Sequence, residues 1–176
     1  MISYVPGSIA LFMGLIVIMI ICSNLKSRRE KRNFHLLEIK ESTRPSAGLG
    51  AFATRDIPTG LDLGRYYGVM VNNEPEDPMY AWRVESEHKD IFGRPYSVER
   101  HVDAKLIIEN NPLRYVNSPV GKEENSIINI RHQQKGSARN GCVHYYTARK
   151  ITKGEELFVD YGENYRTWME TKLKRT

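Results

Sequence analysis

Few side chains in this sequence can do chemistry by type alone. Three tyrosines stand in short phrases of their own: Tyr66 in Tyr66-Tyr67-Gly68, Tyr80 in Tyr80-Ala81-Trp82 and Tyr161 in Asp160-Tyr161-Gly162. A phenol with a pKa near about 10 is no strong base at neutral pH. It can orient a reacting group through its hydroxyl while its ring keeps water out. Asn117 carries both an acceptor and donors on one amide. Gly48 and Gly50 lack the Cβ that would block a close backbone approach to a bound molecule. Each has a plainer reading: a core tyrosine at a strand end, a turn-capping Asn before Pro119, an ordinary glycine turn. The two cysteines cannot form a disulfide framework or a four-cysteine zinc site. Cys22 lies in an apolar run, so Cys142 is alone in the folded part.

The elements that must position these residues read as short strands joined by tight turns. Residues 34–40 alternate weakly and end in turn-rich residues 42–47. A strand signal at residues 51–55 leads into the turn Ile57-Pro58-Thr59-Gly60. A similar phrase recurs: a strand at residues 145–149, then Ile151-Thr152-Lys153-Gly154. Each phrase is followed by a new strand, at residues 61–70 and 156–161. Residues 79–84 also read as a strand, residues 96–101 are ambiguous, and residues 104–109 suggest a helical turn or two. Residues 121–125 and 133–141 read as polar loops. Trp168, Met169 and Leu173 fall at helical spacing near the end. The class is mainly β with short helices.

The net charge of +5 invites a nucleic-acid reading until it is located. Lys26, Arg28, Arg29, Lys31 and Arg32 face only Glu30, which leaves 21 basic against 20 acidic residues beyond. No direct nucleic-acid contact is therefore expected. Residues 1–22 carry no charge, and a bilayer core needs about 20 apolar residues in a helix. Positive charge following the run predicts a transmembrane anchor with the rest facing the cytosol, a single-pass membrane protein. Residues 23–33 would be a basic juxtamembrane linker. The alternatives are a cleaved signal, a wrongly assigned start, or a nuclear-localisation signal with nuclear residence.

Four phrases in order resemble a SET domain, spanning roughly residues 34–168. They are Gly48-Leu49-Gly50 with the turn after it, Tyr66-Tyr67-Gly68, Asn111-Pro112-Leu113-Arg114-Tyr115-Val116-Asn117-Ser118-Pro119, and Gly154-Glu155-Glu156-Leu157-Phe158-Val159-Asp160-Tyr161-Gly162. Tyr80-Ala81-Trp82 and Val102-Asp103-Ala104 agree with the pattern. The Tyr-Ala-Trp phrase, the absence of a His after Asn117 and the Glu-Glu-Asn at 123–125 resemble the PR-domain branch. Alone, a Gly-x-Gly is worth almost nothing; together and in order the phrases are specific.

The resemblance implies a β-clip of several small curved sheets with a C-terminal pseudoknot, in which the 160–162 segment passes through a loop near Asn117. It implies S-adenosyl-L-methionine as cofactor and methyl transfer to a lysine amine of a protein, histone or non-histone. Such a displacement needs alignment, exclusion of water and an uncharged amine. Tyr161 is then the reaction-centre tyrosine, with Tyr80 beside it. Gly48, Leu49, Gly50, Arg114, Tyr115, Asn117, Ser118, Tyr165 and Trp168 are cofactor-side candidates. Tyr66 and Val159 are channel candidates, and the small Val159 predicts room for di- or trimethylation. Residues 34–164 would be the SET domain and 165–176 a C-terminal lid helix. No cysteine follows Cys142, so the zinc site many members carry at that end, and any other metal, is not expected. Ser118 stands where the family usually has His. This departure keeps a second reading open: a catalytically silent PR/SET-like module acting as a membrane-tethered binding or scaffold protein.

Overall fold

The two similar phrases pair with each other. In the computed structural model, Ile57 and Ile151 exchange both backbone hydrogen bonds, at 2.9 and 3.0 Å. Gly60 N donates to Thr147 O and Gly154 N to Ala53 O, each at 2.8 Å. The two turns thus clasp the end of each other's preceding strand, in a local two-fold arrangement. Both glycines sit at positive φ, +78° and +82°, where a Cβ would be strained. Ile57 and Ile151 are wholly buried at the join.

The structure describes residues 33–45, 47–73, 75, 78–106, 111–119, 127–136 and 141–173. The expected anchor at residues 1–22 and the linker up to residue 32 lie outside them, as does most of the helical turn expected at 104–109. Around the clasp stand three small antiparallel sheets among the described residues. The first pairs β1 (Leu37–Glu41) with β2 (Leu49–Ala53), Leu37 opposite Ala53 and Glu41 opposite Leu49. The second has the order β3-β8-β7, with β3 at Asp62–Tyr66, β7 at Ile130–Lys135 and β8 at Cys142–Thr147. The third has the order β4-β6-β5, with β4 at Val69–Val71, β5 at Ala81–Lys89 and β6 at Pro95–Asp103. Short 3-10 turns occupy Phe34–Leu36, Pro78–Tyr80 and Pro112–Tyr115, and a helix, α1, runs over Glu163–Leu173. The core gathers Ala51, Leu63, Val84, Val102, Leu113, Val116, Tyr145, Leu157 and Val159 from all three sheets.

Several expected boundaries move for identifiable reasons. The strand expected over 61–70 breaks between β3 and β4, because Gly68 crosses β6 so closely that a Cβ there would lie 2.7 Å from Asp103 O. The loop expected from residue 133 begins later, since β7 runs to Lys135. Only Ile130 of that strand is buried, so no alternation marked it. Residues 156–161 form isolated bridges on two sides: Phe52 with Glu156, Asn117 with Phe158 and Ile130 with Val159. Phe158 and Val159 therefore run between the 117 and 130 segments, which places Tyr161 close to Asn117.

The single-pass membrane localisation is corrected. Among the described residues, no helix is long and apolar enough to cross a membrane. A span needs about 20 apolar residues; α1 has 11 and carries Glu163, Arg166, Glu170 and Lys172.

Candidate active site

A polar cradle forms where β1 turns into β2. Gly48 holds φ at +69°, which swings the chain back toward Asn117. Asn117 Nδ2 donates to Leu49 O at 3.1 Å, and lies 3.3 Å from both Ser42 Oγ and Glu156 Oε1. Glu156 is buried and accepts from Ser42 Oγ at 2.6 Å, Thr43 N at 2.8 Å and Thr43 Oγ1. A Cβ on Gly50 would overlap the Glu156 carboxylate. The close approach that Gly50 permits is thus to this side chain.

An aromatic wall stands beside the cradle. Tyr161 N donates to Ser118 Oγ at 3.2 Å, and its hydroxyl donates to Val116 O at 2.7 Å. The tyrosine is thereby tied at both ends to the segment that carries Asn117. Its ring meets Trp82 edge-on at 5.7 Å and Tyr165 at 4.9 Å. Trp82 Nε1 donates to Tyr145 OH at 2.7 Å, and Tyr145 stacks on Tyr66 at 5.6 Å. Tyr66 OH closes the ring of contacts by donating to Tyr80 O at 2.9 Å. His132 from β7 covers the outer face of Trp82, 4.0 Å between ring centres. Burial pushes the Tyr161 phenol well above its ordinary pKa, with Tyr66, Tyr165 and Tyr80 adding to the effect. Burial does the same to Tyr145 and Tyr66. These phenols stay protonated at neutral pH, an arrangement that can exclude water and orient a group but offers no base.

The other expected residues fall around this pair of regions. The Arg114 guanidinium lies over the rings of Tyr80, at 4.7 Å, and Tyr115, at 5.2 Å. Its Nη2 donates to Lys105 O at 3.2 Å, while its Nε is buried without a partner among the described residues. Val159 is wholly buried, bridges to Ile130 and donates from its N to Asn117 O at 3.0 Å. Helix α1 is docked by Arg166 Nη1, 2.9 and 3.0 Å from the two Asp160 oxygens, as well as by Tyr165. Trp168 belongs to α1, but its side chain lies outside the described residues. Among the described residues no group of three or more His, Cys, Asp or Glu could hold a metal ion.

Sequence reasoning missed four residues. Glu156 and Trp82 sat inside recognised phrases without a role. Tyr145 carried only a strand signal. Asn129 is wholly buried and latches the 155–158 segment, donating from Nδ2 to Glu155 Oε1 and Glu156 O and accepting from Phe158 N. A polar residue at the head of an otherwise exposed strand was its only available sign.

The fold is of the SET type. A solved methyltransferase domain of human PR domain-containing protein 2 superposes with a TM-score of 0.53 at 23% identity, covering 73% of this chain and 79% of that one. A structure of ctPRC2 in an autoinhibited conformation bound to S-adenosylmethionine gives 0.50 at 21% identity, covering 79% of this chain and 16% of that one. The chain belongs to the PR-domain family: the family described as PR domain zinc finger protein 2, PR domain, matches residues 37–172. Histone-lysine N-methyltransferase set-17 of Caenorhabditis elegans is 30% identical over 132 residues, 74% of this chain and 42% of that protein. Mouse histone-lysine N-methyltransferase MECOM is 25% identical over 122 residues, 69% of this chain and 9% of that protein. The chain thus spans less than half the length of these curated relatives.

Proposed function

We propose that this domain binds S-adenosyl-L-methionine and transfers its methyl group to a lysine amine of a protein, a histone tail being the substrate class that the relatives' names suggest. The observation that carries the reading is the joining of cradle and wall. Asn117 and Tyr161 lie on two segments bridged to each other, and Tyr161 OH and N are bonded to residues on either side of Asn117. The cofactor supplies an activated methyl group when bound.

The residues present suit such a ligand. Asn117 Oδ1 accepts no hydrogen bond from the described residues and is available to an ammonium. The exposed Leu49 side chain and the positive-φ Gly48 leave the loop edge open on that side. Arg114 offers an unpartnered buried Nε within the same 114–118 segment. Ser118 and Tyr115 complete that segment, and Tyr165 reaches the Tyr161 ring from the helix; Trp168, on the same helix, stays a cofactor-side candidate by sequence alone. The pseudoknot, with 160–162 threading near Asn117, is part of this reading.

The chemistry of the wall follows from its composition. Tyr66, Tyr80, Trp82, Tyr145 and Tyr161 present rings with few free polar atoms, which disfavours a charged amine among them. A lysine ammonium loses its proton to water on entry, and the Tyr161 oxygen, already donating to Val116 O, keeps lone pairs that orient the resulting amine. No side chain here needs to be a strong base. Val159 rather than an aromatic residue two positions before Tyr161 leaves room for more than one methyl.

The test is transfer of labelled methyl from S-adenosylmethionine to histones and peptide libraries, with wild type and Tyr161→Phe. The reading expects transfer by the wild type and a loss of at least about 100-fold in the variant. Absence of wild-type transfer to every acceptor, with cofactor binding intact, would favour the silent PR-like binding module.

A further inference from the structure

Glu156 is a buried carboxylate at 4% exposure, and it makes no ion pair with any described lysine or arginine. Burying such a group is costly unless hydrogen bonds satisfy it. Here they come from two separate segments. Ser42 Oγ and Thr43 N and Oγ1 reach it from the loop after β1, and Asn117 Nδ2 reaches it from the 114–118 segment. Gly50 leaves the space its oxygen fills. The arrangement has a directional consequence at Asn117. Three acceptors, Glu156 Oε1, Leu49 O and Ser42 Oγ, surround the amide nitrogen. The amide oxygen must therefore face away from them. A flipped amide would set its oxygen against the carboxylate and would turn N–H donors toward the ligand.

We infer that Glu156 is a positioning residue for the amino-acid end of the cofactor: it locks the Asn117 amide with its oxygen outward, so that the oxygen accepts from the ligand ammonium. The inference rests on the methyl-transfer reading above and deepens it. The adenosine end of the ligand does not depend on this lock. Glu156→Gln keeps the shape but can set a donor where the carboxylate offered only acceptors, so it weakens the preference for one amide orientation and leaves Leu49 O as its main support.

The experiment is titration calorimetry on the full chain with three probes: S-adenosylmethionine, S-adenosylhomocysteine and 5′-methylthioadenosine, which has no amino-acid end. Glu156→Gln is expected to weaken the first two by about tenfold and to leave the third within about twofold of wild type. Gly50→Ala is the second variant. Gly50 has no positive φ, so alanine suits its backbone, and the added Cβ displaces the carboxylate while keeping its charge. It should give the same selective loss, and it carries the test if Glu156→Gln does not fold. Equal weakening of all three probes, or of none, overturns the positioning role and leaves the methyl-transfer reading standing. Failure of wild type to bind S-adenosylmethionine and S-adenosylhomocysteine overturns the reading itself, and the inference with it.

Discussion

The cradle and the aromatic wall meet along the 114–118 segment, yet they are made from opposite materials. In the cradle, one carboxylate, one amide and two hydroxylated residues are held by hydrogen bonds of 2.5 to 3.3 Å. In the wall, the four rings of Tyr66, Tyr145, Trp82 and Tyr161 touch edge-on or stacked, and their polar atoms are spent on each other or on backbone carbonyls. Hydrogen bonds to a charged group contribute about 1.5–3 kcal/mol each and depend on direction. An aromatic pair contributes about 0.5–1.5 kcal/mol beyond its buried area and tolerates small rotations. Damage to the cradle should therefore appear in affinity, and damage to the wall in turnover. Substitutions that mix the two effects would break the distinction.

Tyr161→Phe is expected to have the largest effect. It keeps the ring that contacts Trp82 and Tyr165 and removes only the hydroxyl. Turnover should fall by about 100-fold or more, while the affinity for S-adenosylhomocysteine stays within about twofold. A matching loss of affinity would mean that the wall also holds the cofactor. Asn117→Ala comes next. Among the described residues, it removes the one side chain that touches Leu49 O, Ser42 and Glu156 together. The dissociation constant for S-adenosylmethionine should rise about tenfold or more, with kcat at saturating cofactor changed less. Steady-state kinetics on both variants separates the two outcomes.

How much of this was legible in the sequence differs between the two regions for a physical reason. The cradle's glycines and Asn117 sit in short phrases because backbone geometry and one amide must recur at fixed places. Their true partner, Glu156, sat inside a recognised phrase with no role assigned to it. Its burial arises from strand crossings 114 residues away, at Ser42, which no local pattern encodes. The wall was half visible: Tyr66, Tyr80 and Tyr161 stood out, but Tyr145 and Trp82 act through contacts between different sheets. The twin Ile-x-x-Gly turns were seen as similar, and their mutual pairing became evident only in three dimensions. The N-terminal apolar run read as a span by length and charge alone, and the described residues contain no membrane-crossing helix.

Val159→Tyr sharpens the comparison, because this residue joins the two regions. Its backbone bonds to Asn117 O, while its side chain is wholly buried two residues before Tyr161. Mass spectrometry of exhaustively methylated peptide should show di- or trimethyl-lysine with wild type and chiefly monomethyl-lysine with the variant. A tyrosine at this wholly buried position also presses on the residues packed around Val159, at a cost of about 1–3 kcal/mol, so thermal melting should report a modest loss alongside the altered product. Only monomethyl-lysine from the wild type would show that Val159 leaves no room.

The smallest expected effect concerns Glu155, adjacent to Glu156 and its opposite in setting. Glu155 meets Arg149 Nη2 at 2.6 Å, Thr152 N at 3.0 Å and Asn129 Nδ2 at 3.0 Å, on the outer side of the turn. Partial burial alone would raise its pKa, but the Arg149 pair and the two hydrogen bonds outweigh that and hold it at about 2, below the ordinary 4.5. A depressed carboxylate pKa means that the folded state binds the proton less readily than the unfolded state. The resulting stability is present above about pH 4.5 and is lost as pH falls toward about 2. Arg149 is exposed and Glu155 only partly buried, so water screens the pair and the contribution is about 1 kcal/mol or less. Urea unfolding at pH 7 and pH 3 should show a smaller acid-induced loss for Glu155→Gln than for wild type. Asp62 is also depressed and acts in both proteins, so the difference between the two losses isolates Glu155. Cofactor affinity at pH 7 should stay within about twofold for Glu155→Gln, because the side chain faces away from the cradle and the exposed pair is weak. A large loss of affinity would mean that the latch at Asn129, which touches both glutamates, transmits the outer charge to the site.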